Sequence, residues 1–251
     1  MAEPRTVADL RREIDAIDDA LVDLIAQRAA YAAAVRAAKG GDQAEFLWRP
    51  AREAMMARRL AARAKADPEL LERIWGELTG ANLAAQGPVG LEVYSPEDPG
   101  LAVSRARARF GGAAPLTWHP SAEAALAALD LPGGRIAVLP RPSETEDWWT
   151  QLETTSAGGR PIRVSAWLDH GAAFAMARAP LEPSGQDRLW AVFADPSAAL
   201  DALTARGATA FRRAEVPGAG LIEAEGCDTP HIQDLGGAIV GLFAAPPLEA
   251  G

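Results

Sequence analysis

The stretch LRREIDAIDDALVDLIAQRAAYAAAVRAAKG, residues 10–40, decides how the first third of the chain folds. Leu10, Ile14, Ile17, Leu21 and Leu24, then Arg28, Tyr31 and Val35, recur at spacings of four and three, the seam of a helix that packs lengthwise on another. Thr6 and Asp9 are placed to cap its start and Gly40-Gly41 to stop it. A helix of about 34 residues rises roughly 50 Å. That is too long for an 86-residue globule to bury alone. A partner helix from a second subunit is therefore expected, and with it a homodimer.

Working outward, a second helix should begin at Pro50, a favoured first-turn residue, and carry Met56 and Leu60. A third should start at Asp67-Pro68 and run to about Gln86, with Leu71, Trp75, Leu78, Asn82 and Gln86 on one stripe. Gly87-Pro88 then breaks the pattern. Charge changes there too. Residues 1–86 hold 13 Lys+Arg against 14 Asp+Glu, and residues 87–251 hold 12 against 20. Beyond the break, short strands at 91–95, 116–119, 136–139, 162–166 and 189–194 alternate with helical stretches at 102–110, 122–129 and 197–206, an α/β order. Pro183-Ser184-Gly185 is a weaker boundary, after which strand, helix, strand, strand, helix, strand form a small α/β sandwich pattern. The expected division is an all-α three-helix part at 1–86, an α/β part at 88–183 and a βαββαβ part at 187–248.

Composition narrows the classes. The formal net charge of −9 disfavours nucleic acid, and no stretch approaches the about 20 apolar residues of a membrane span. A lone cysteine, Cys227, and acids in the first twenty residues, where a secretory leader needs an apolar run, point to a reducing, cytoplasmic setting. His119, His170 and His231 lack metal-ligand spacing, Cys227 has no basic neighbour to activate it, and Trp148-Trp149 reads as core. Small molecules and protein partners remain.

Only Lys39 and Lys65 are lysines among 25 cations, so each invites inspection. Lys39 follows Arg28 by eleven residues and shares its helix face to within roughly 20°. Arg28 interrupts the apolar seam, where a guanidinium is costly unless it meets a carboxylate from protein or ligand. Arg11 is rotated roughly 100° from Arg28 and would serve a ligand only in the other subunit. Arg52 and Glu53 open helix two; Asn82 and Gln86 replace apolar residues on helix three, where inward amides are expensive without partners. Each has a bland reading. Arg11 suits a solvated surface, Arg28 a pair in a dimer seam, Lys39 a helix C-terminus, and Asn82 and Gln86 a partly exposed helix end. Together, Arg11, Arg28, Lys39, Arg52, Glu53, Asn82 and Gln86 make a cationic, hydrogen-bonding lining without nucleophile or metal ligand, suited to a dicarboxylate.

Residues 10–40, FLWRPAREAMMARRL (46–60) and IWGELTGANLAAQ (74–86) resemble the all-α chorismate mutases, particularly the domain fused to prephenate dehydratase in the bifunctional P-protein. The resemblance implies a Claisen rearrangement of chorismate to prephenate in aromatic amino acid biosynthesis, without cofactor or metal. It implies that Arg28 and the partner's Arg11 hold the two carboxylates, with Arg52 assisting. Lys39 and Gln86 would donate to the ether oxygen, and Glu53 would accept from the ring hydroxyl. Asn82 stands where the family often has a small hydroxyl or thiol residue, and Arg49 where some members have an acid, which leaves the loop at 40–49 unassigned. Isochorismate pyruvate-lyase, on the same helical fold, is an alternative reaction. An amino-acid-responsive regulatory or partner-binding module is an alternative class.

PVGLEVYSPEDPGLAVSRARARFG (88–111) resembles the opening of prephenate dehydratase, with Gly100 and Ala102 in place of its threonine and serine. Arg141-Pro142-Ser143 stand for a Glu-Asn-Ser run, and Ala172-Ala173-Phe174 for Thr-Arg-Phe. A one-lobed remnant without dehydratase activity is expected. RLWAVFADPSAALDALTARGATAFRRAEVPGAGLIEAEG (188–226) resembles the ACT regulatory fold, with Ala198-Ala199-Leu200 lacking the family's glycine and Ala214-Glu215-Val216-Pro217 only loosely similar to its Glu-Ser-Arg-Pro. A structural or dimerising appendage is favoured there over a site for an aromatic amino acid effector.

Overall fold

The computed structural model describes residues 5–38, 48–64, 67–85, 87–153 and 160–245. Three helices come first: α1 (Val7–Ala38), α2 (Pro50–Ala61) and α3 (Pro68–Ala85). The start of α1 is the expected reciprocal cap. Thr6 Oγ1 accepts from the Asp9 backbone N–H at 3.2 Å, while Asp9 Oδ2 accepts from the Thr6 N–H at 3.0 Å. Two arginines then clip α1 to α3: Arg28 Nη1 donates to the Leu78 carbonyl and Arg36 Nη1 to the Ala85 carbonyl, each at 3.1 Å. The order of these contacts makes the two helices run parallel. No residue of α1 is buried, and its seam lies open, with Ile14 55%, Ile17 59%, Leu24 60% and Tyr31 67% exposed.

The α/β part contains β1 (Val89–Val93), α4 (Pro99–Phe110), β2 (Leu116–Trp118), α5 (Ala122–Ala127), β3 (Gly134–Pro140), β4 (Arg163–Leu168) and β5 (Ala173–Ala177). It continues with β6 (Asp187–Phe193), α6 (Pro196–Ala205), β7 (Thr209–Val216), β8 (Ala219–Glu225), α7 (Thr229–Asp234) and β9 (Ala238–Ala244). The strands at 91–95, 116–119, 136–139, 162–166 and 189–194 are present, with bounds shifted by a few residues. β5 is an addition. Its run AFAMA overlaps the Ala172-Ala173-Phe174 stretch and, apolar on both faces, hairpins back on β4 through a 3-10 turn that holds Asp169 and His170 at positive φ.

The nine strands among the described residues join one sheet, in the order β2-β1-β3-β5-β4-β9-β6-β8-β7. β1 pairs in parallel with β2 and β3, and the two expected α/β parts meet where β4 lies parallel to β9, with Val164 opposite Gly241. Strand alternation sorts the core into layers. Ala137 and Leu139 of β3 join Trp148, Trp149, Phe174, Trp190 and Phe243 on one face. Ile136 and Val138 join Phe110 of α4, Leu83 of α3 and Trp48 on the other. The helical part therefore shares a core with the sheet. Leu189, Ala191 and Phe193 of β6 form a third cluster under α6 and α7.

Glu223 on β8 is 2% exposed and accepts from Trp190 Nε1 at 2.8 Å and from Arg213 Nη2 at 2.6 Å, with Arg188 Nη1 at 3.0 Å. Burial pushes its carboxyl up, but the Arg213 and Trp190 hydrogen bonds and the charges of Arg213 and Arg188 outweigh this, so the net direction is down. A carboxyl lowered by folding adds stability above its unfolded titration range and loses it as pH falls through the folded value. The melting temperature should therefore drop on acidification below about pH 5, the onset for such a carboxylate. Glu223→Gln should flatten that acid limb in thermal melts. An unchanged pH slope would show that the cluster is not linked to folding.

Candidate active site

Of the candidate residues, Arg28 of α1 and Glu53 of α2 are brought near each other, beside α3 and α4. Arg28 sits half-buried on α1, bound to Leu78 of α3; burial lowers its pKa and the charge of Glu53 partly restores it. A desolvated guanidinium beside a carboxylate is the arrangement the interrupted seam implied. Asn82 follows Leu78 by one helical turn and is half-buried.

Glu53 lies in the first turn of α2, whose register is set by Pro50 at the helix start. Its Oε2 accepts from Arg109 Nη2 at 2.5 Å and from Trp48 Nε1 at 3.3 Å. Neither partner was singled out in the sequence. Arg109 lies 56 residues away on α4, and no spacing rule connects the two. Arg52, beside Glu53, is exposed. Arg11 is exposed on α1, about 25 Å along the axis from Arg28 at 1.5 Å per residue. The two arginines cannot meet one small ligand within a single chain. Lys39, Gln86 and the loop at 40–47 lie outside the described residues, as does Lys65.

Arg49, which stands where some members of the resembled family have an acid, has an acidic partner instead. It forms a forked pair with Glu182, Nε to Oε2 at 3.1 Å and Nη2 to Oε1 at 2.9 Å. Arg58, further along α2, donates to Ser184 Oγ at 2.6 Å and to the Ser184 carbonyl at 3.1 Å. Both ends of α2 are thus tied to the segment that leads into β6.

Elsewhere, burial and then the nearby Asp228 push the Cys227 thiol up, away from a reactive thiolate. Trp148 and Trp149 are core, as expected. Among the described residues, no cluster of three or more His, Cys, Asp or Glu is placed to hold a metal ion, and no helix is long and apolar enough to cross a membrane.

Residues 10–87 match the model of the family described as chorismate mutase type II. The three helices are therefore a chorismate mutase type II domain, and the α/β remainder lies outside the match. A solved structure of prephenate dehydratase from Streptococcus mutans is similar over 62% of this chain and 97% of that chain, at 11% identity and a TM-score of 0.41. A comparison with curated proteins finds no match.

Proposed function

We propose that the protein is a chorismate mutase whose α/β extension has no dehydratase activity, serving phenylalanine and tyrosine synthesis in the cytoplasm. The observation that carries the reading is a half-buried Arg28 held between Leu78 and the charge of Glu53, inside the segment that matches the family. The rearrangement is pericyclic. It needs capture of a compact conformer and stabilisation of charge on the ether oxygen, with no covalent catalyst. Arg28 and the partner's Arg11 hold the two carboxylates, and Arg52 assists. Lys39 and Gln86 donate to the ether oxygen, Glu53 accepts from the ring hydroxyl, and Asn82 lines the site.

The open apolar seam of α1, Leu10 to Val35, supports a dimer in which each Arg11 serves the other chain's site. Sedimentation should give twice the 26.4 kDa chain mass. The silent dehydratase is supported by Ala102 and Ala173, which fill core at 2% exposure each, and by Arg141, whose Nε donates to the Gly171 carbonyl. The last region reads as a structural appendage, since Trp190 and Phe243 pack into the shared core.

Steady-state loss of chorismate and gain of prephenate on the full chain tests the reading. Rates should stay roughly level from about pH 6 to 8.5, because an amide at position 86 donates without needing a proton of its own. Lys39→Ala should cost about 3 kcal/mol of transition-state stabilisation, as for a lost oxyanion donor. Added phenylalanine should leave turnover unchanged. Release of pyruvate from isochorismate without prephenate formation would select the lyase instead.

A further inference from the structure

We infer that Arg109, on α4 of the extension, is a positioning residue for the mutase site, holding Glu53 so that one carboxylate oxygen and the Arg28 guanidinium stay available to substrate. The role rests on the functional reading above.

The geometry is a chain of fixed groups. Arg109 Nη2 meets Glu53 Oε2 at 2.5 Å, with side-chain exposures of 24% and 16%. The Arg109 guanidinium lies 5.1 Å from the centroid of the Phe110 ring, and Phe110 meets Trp48 edge to face at 5.4 Å. Trp48 in turn donates to the same Glu53 oxygen at 3.3 Å. Trp48 and Phe110 are each 1% exposed, so the group that aims Glu53 is anchored in the shared core. The same end of α4 is tied to α3 as well: Glu77 Oε2 accepts from the backbone N–H of Gly112, just past Phe110, at 3.1 Å.

The electrostatic need follows from the neighbours. Glu53 already acts on Arg28 through its charge. Without a competing cation, a mobile Glu53 would fold onto Arg28 and neutralise the group that should meet a substrate carboxylate. Arg109 occupies Oε2, leaves Oε1 for the ring hydroxyl, and keeps the carboxylate from collapsing. The extension thereby completes the site. This effect is on binding of ground and transition state alike, so it should appear mainly in KM.

The test uses the full chain. Arg109→Gln should lower kcat/KM for chorismate about 30-fold, with KM rising more than kcat falls. Arg109→Lys, which keeps the charge, should recover part of the loss. Arg105→Ala, which removes a different α4 ion pair, with Asp169, should stay within about twofold of wild type. Independently of activity, thermal melts of Glu53→Gln, Arg109→Gln and the double variant should be non-additive. Additive losses would overturn the pairing. Non-additive losses with wild-type KM and kcat in Arg109→Gln would overturn the positioning role alone. A wild-type chain that leaves chorismate unchanged overturns the functional reading, and the role with it.

Discussion

Arg28→Ala is expected to lower kcat/KM for chorismate by about 400-fold or more, the largest loss among the described candidate residues. Truncating one partner of a desolvated, hydrogen-bonded charge pair costs about 2–5 kcal/mol, and each 1.36 kcal/mol is about tenfold in rate. The upper half of that range applies here for a structural reason. Arg28 is already partly stripped of water, which lowers its pKa, and one N–H is committed to the Leu78 carbonyl. Its desolvation has been met by the fold before any ligand arrives, so little reorganisation remains when a carboxylate binds. Arg28→Lys should not restore the rate, because an ammonium lacks the fork that can serve Leu78 and a carboxylate together. Steady-state kinetics with circular dichroism as a folding control decides it; near-normal turnover in Arg28→Ala would sink the assignment of this face to substrate.

The parts of this site that sequence reveals are those written in short-range spacing. The Thr6–Asp9 cap and Pro50 at the start of α2 act within a turn or two of helix and are realised; the 4,3 spacing of α1 gives a helix whose seam is exposed, and on α3 the stripe Leu71, Trp75, Leu78 and Asn82 is half-buried while Thr79 and Leu83 face the core. The interruption of the seam at Arg28 was readable for the same reason. Short apolar runs likewise mark β1, β3 and β6, whereas the equally apolar run AFAMA of β5 overlaps the Ala172-Ala173-Phe174 stretch, whose likeness to a substrate motif hides the strand. The pairs Glu53–Arg109 and Arg49–Glu182 span 56 and 133 residues, and a charge has no sequence signature for a partner that distant. Without those two pairs, the coupling between the helical part and the sheet that follows it has no sign in the sequence.

Gly80→Ala should destabilise the full chain by about 3 kcal/mol, although helix propensity alone predicts the reverse. Gly76 and Gly80 lie one turn apart in α3, and alanine in an exposed helix interior would gain about 1 kcal/mol at either. Here the two glycines let the α3 backbone touch the α4 backbone directly. A Cβ on Gly80 would fall 1.7 Å from the Phe110 carbonyl oxygen and 2.6 Å from its carbon, and one on Gly76 2.7 Å from the Ala108 oxygen. A backbone carbonyl at the end of a helix cannot swing aside as a side chain can. The helices must separate, and overpacking of a close contact costs about 1–3 kcal/mol or more. Separation would also lift Phe110 from Trp48 and pull Arg109 from Glu53, so kcat/KM should fall together with stability. Gly76→Ala, with the milder overlap, should cost about 1 kcal/mol, because its clash is partly offset by the propensity gain. Urea unfolding of both variants measures the order. A Gly80→Ala chain more stable than wild type would mean that α3 and α4 do not pack backbone to backbone, and that the extension does not close on the helical site.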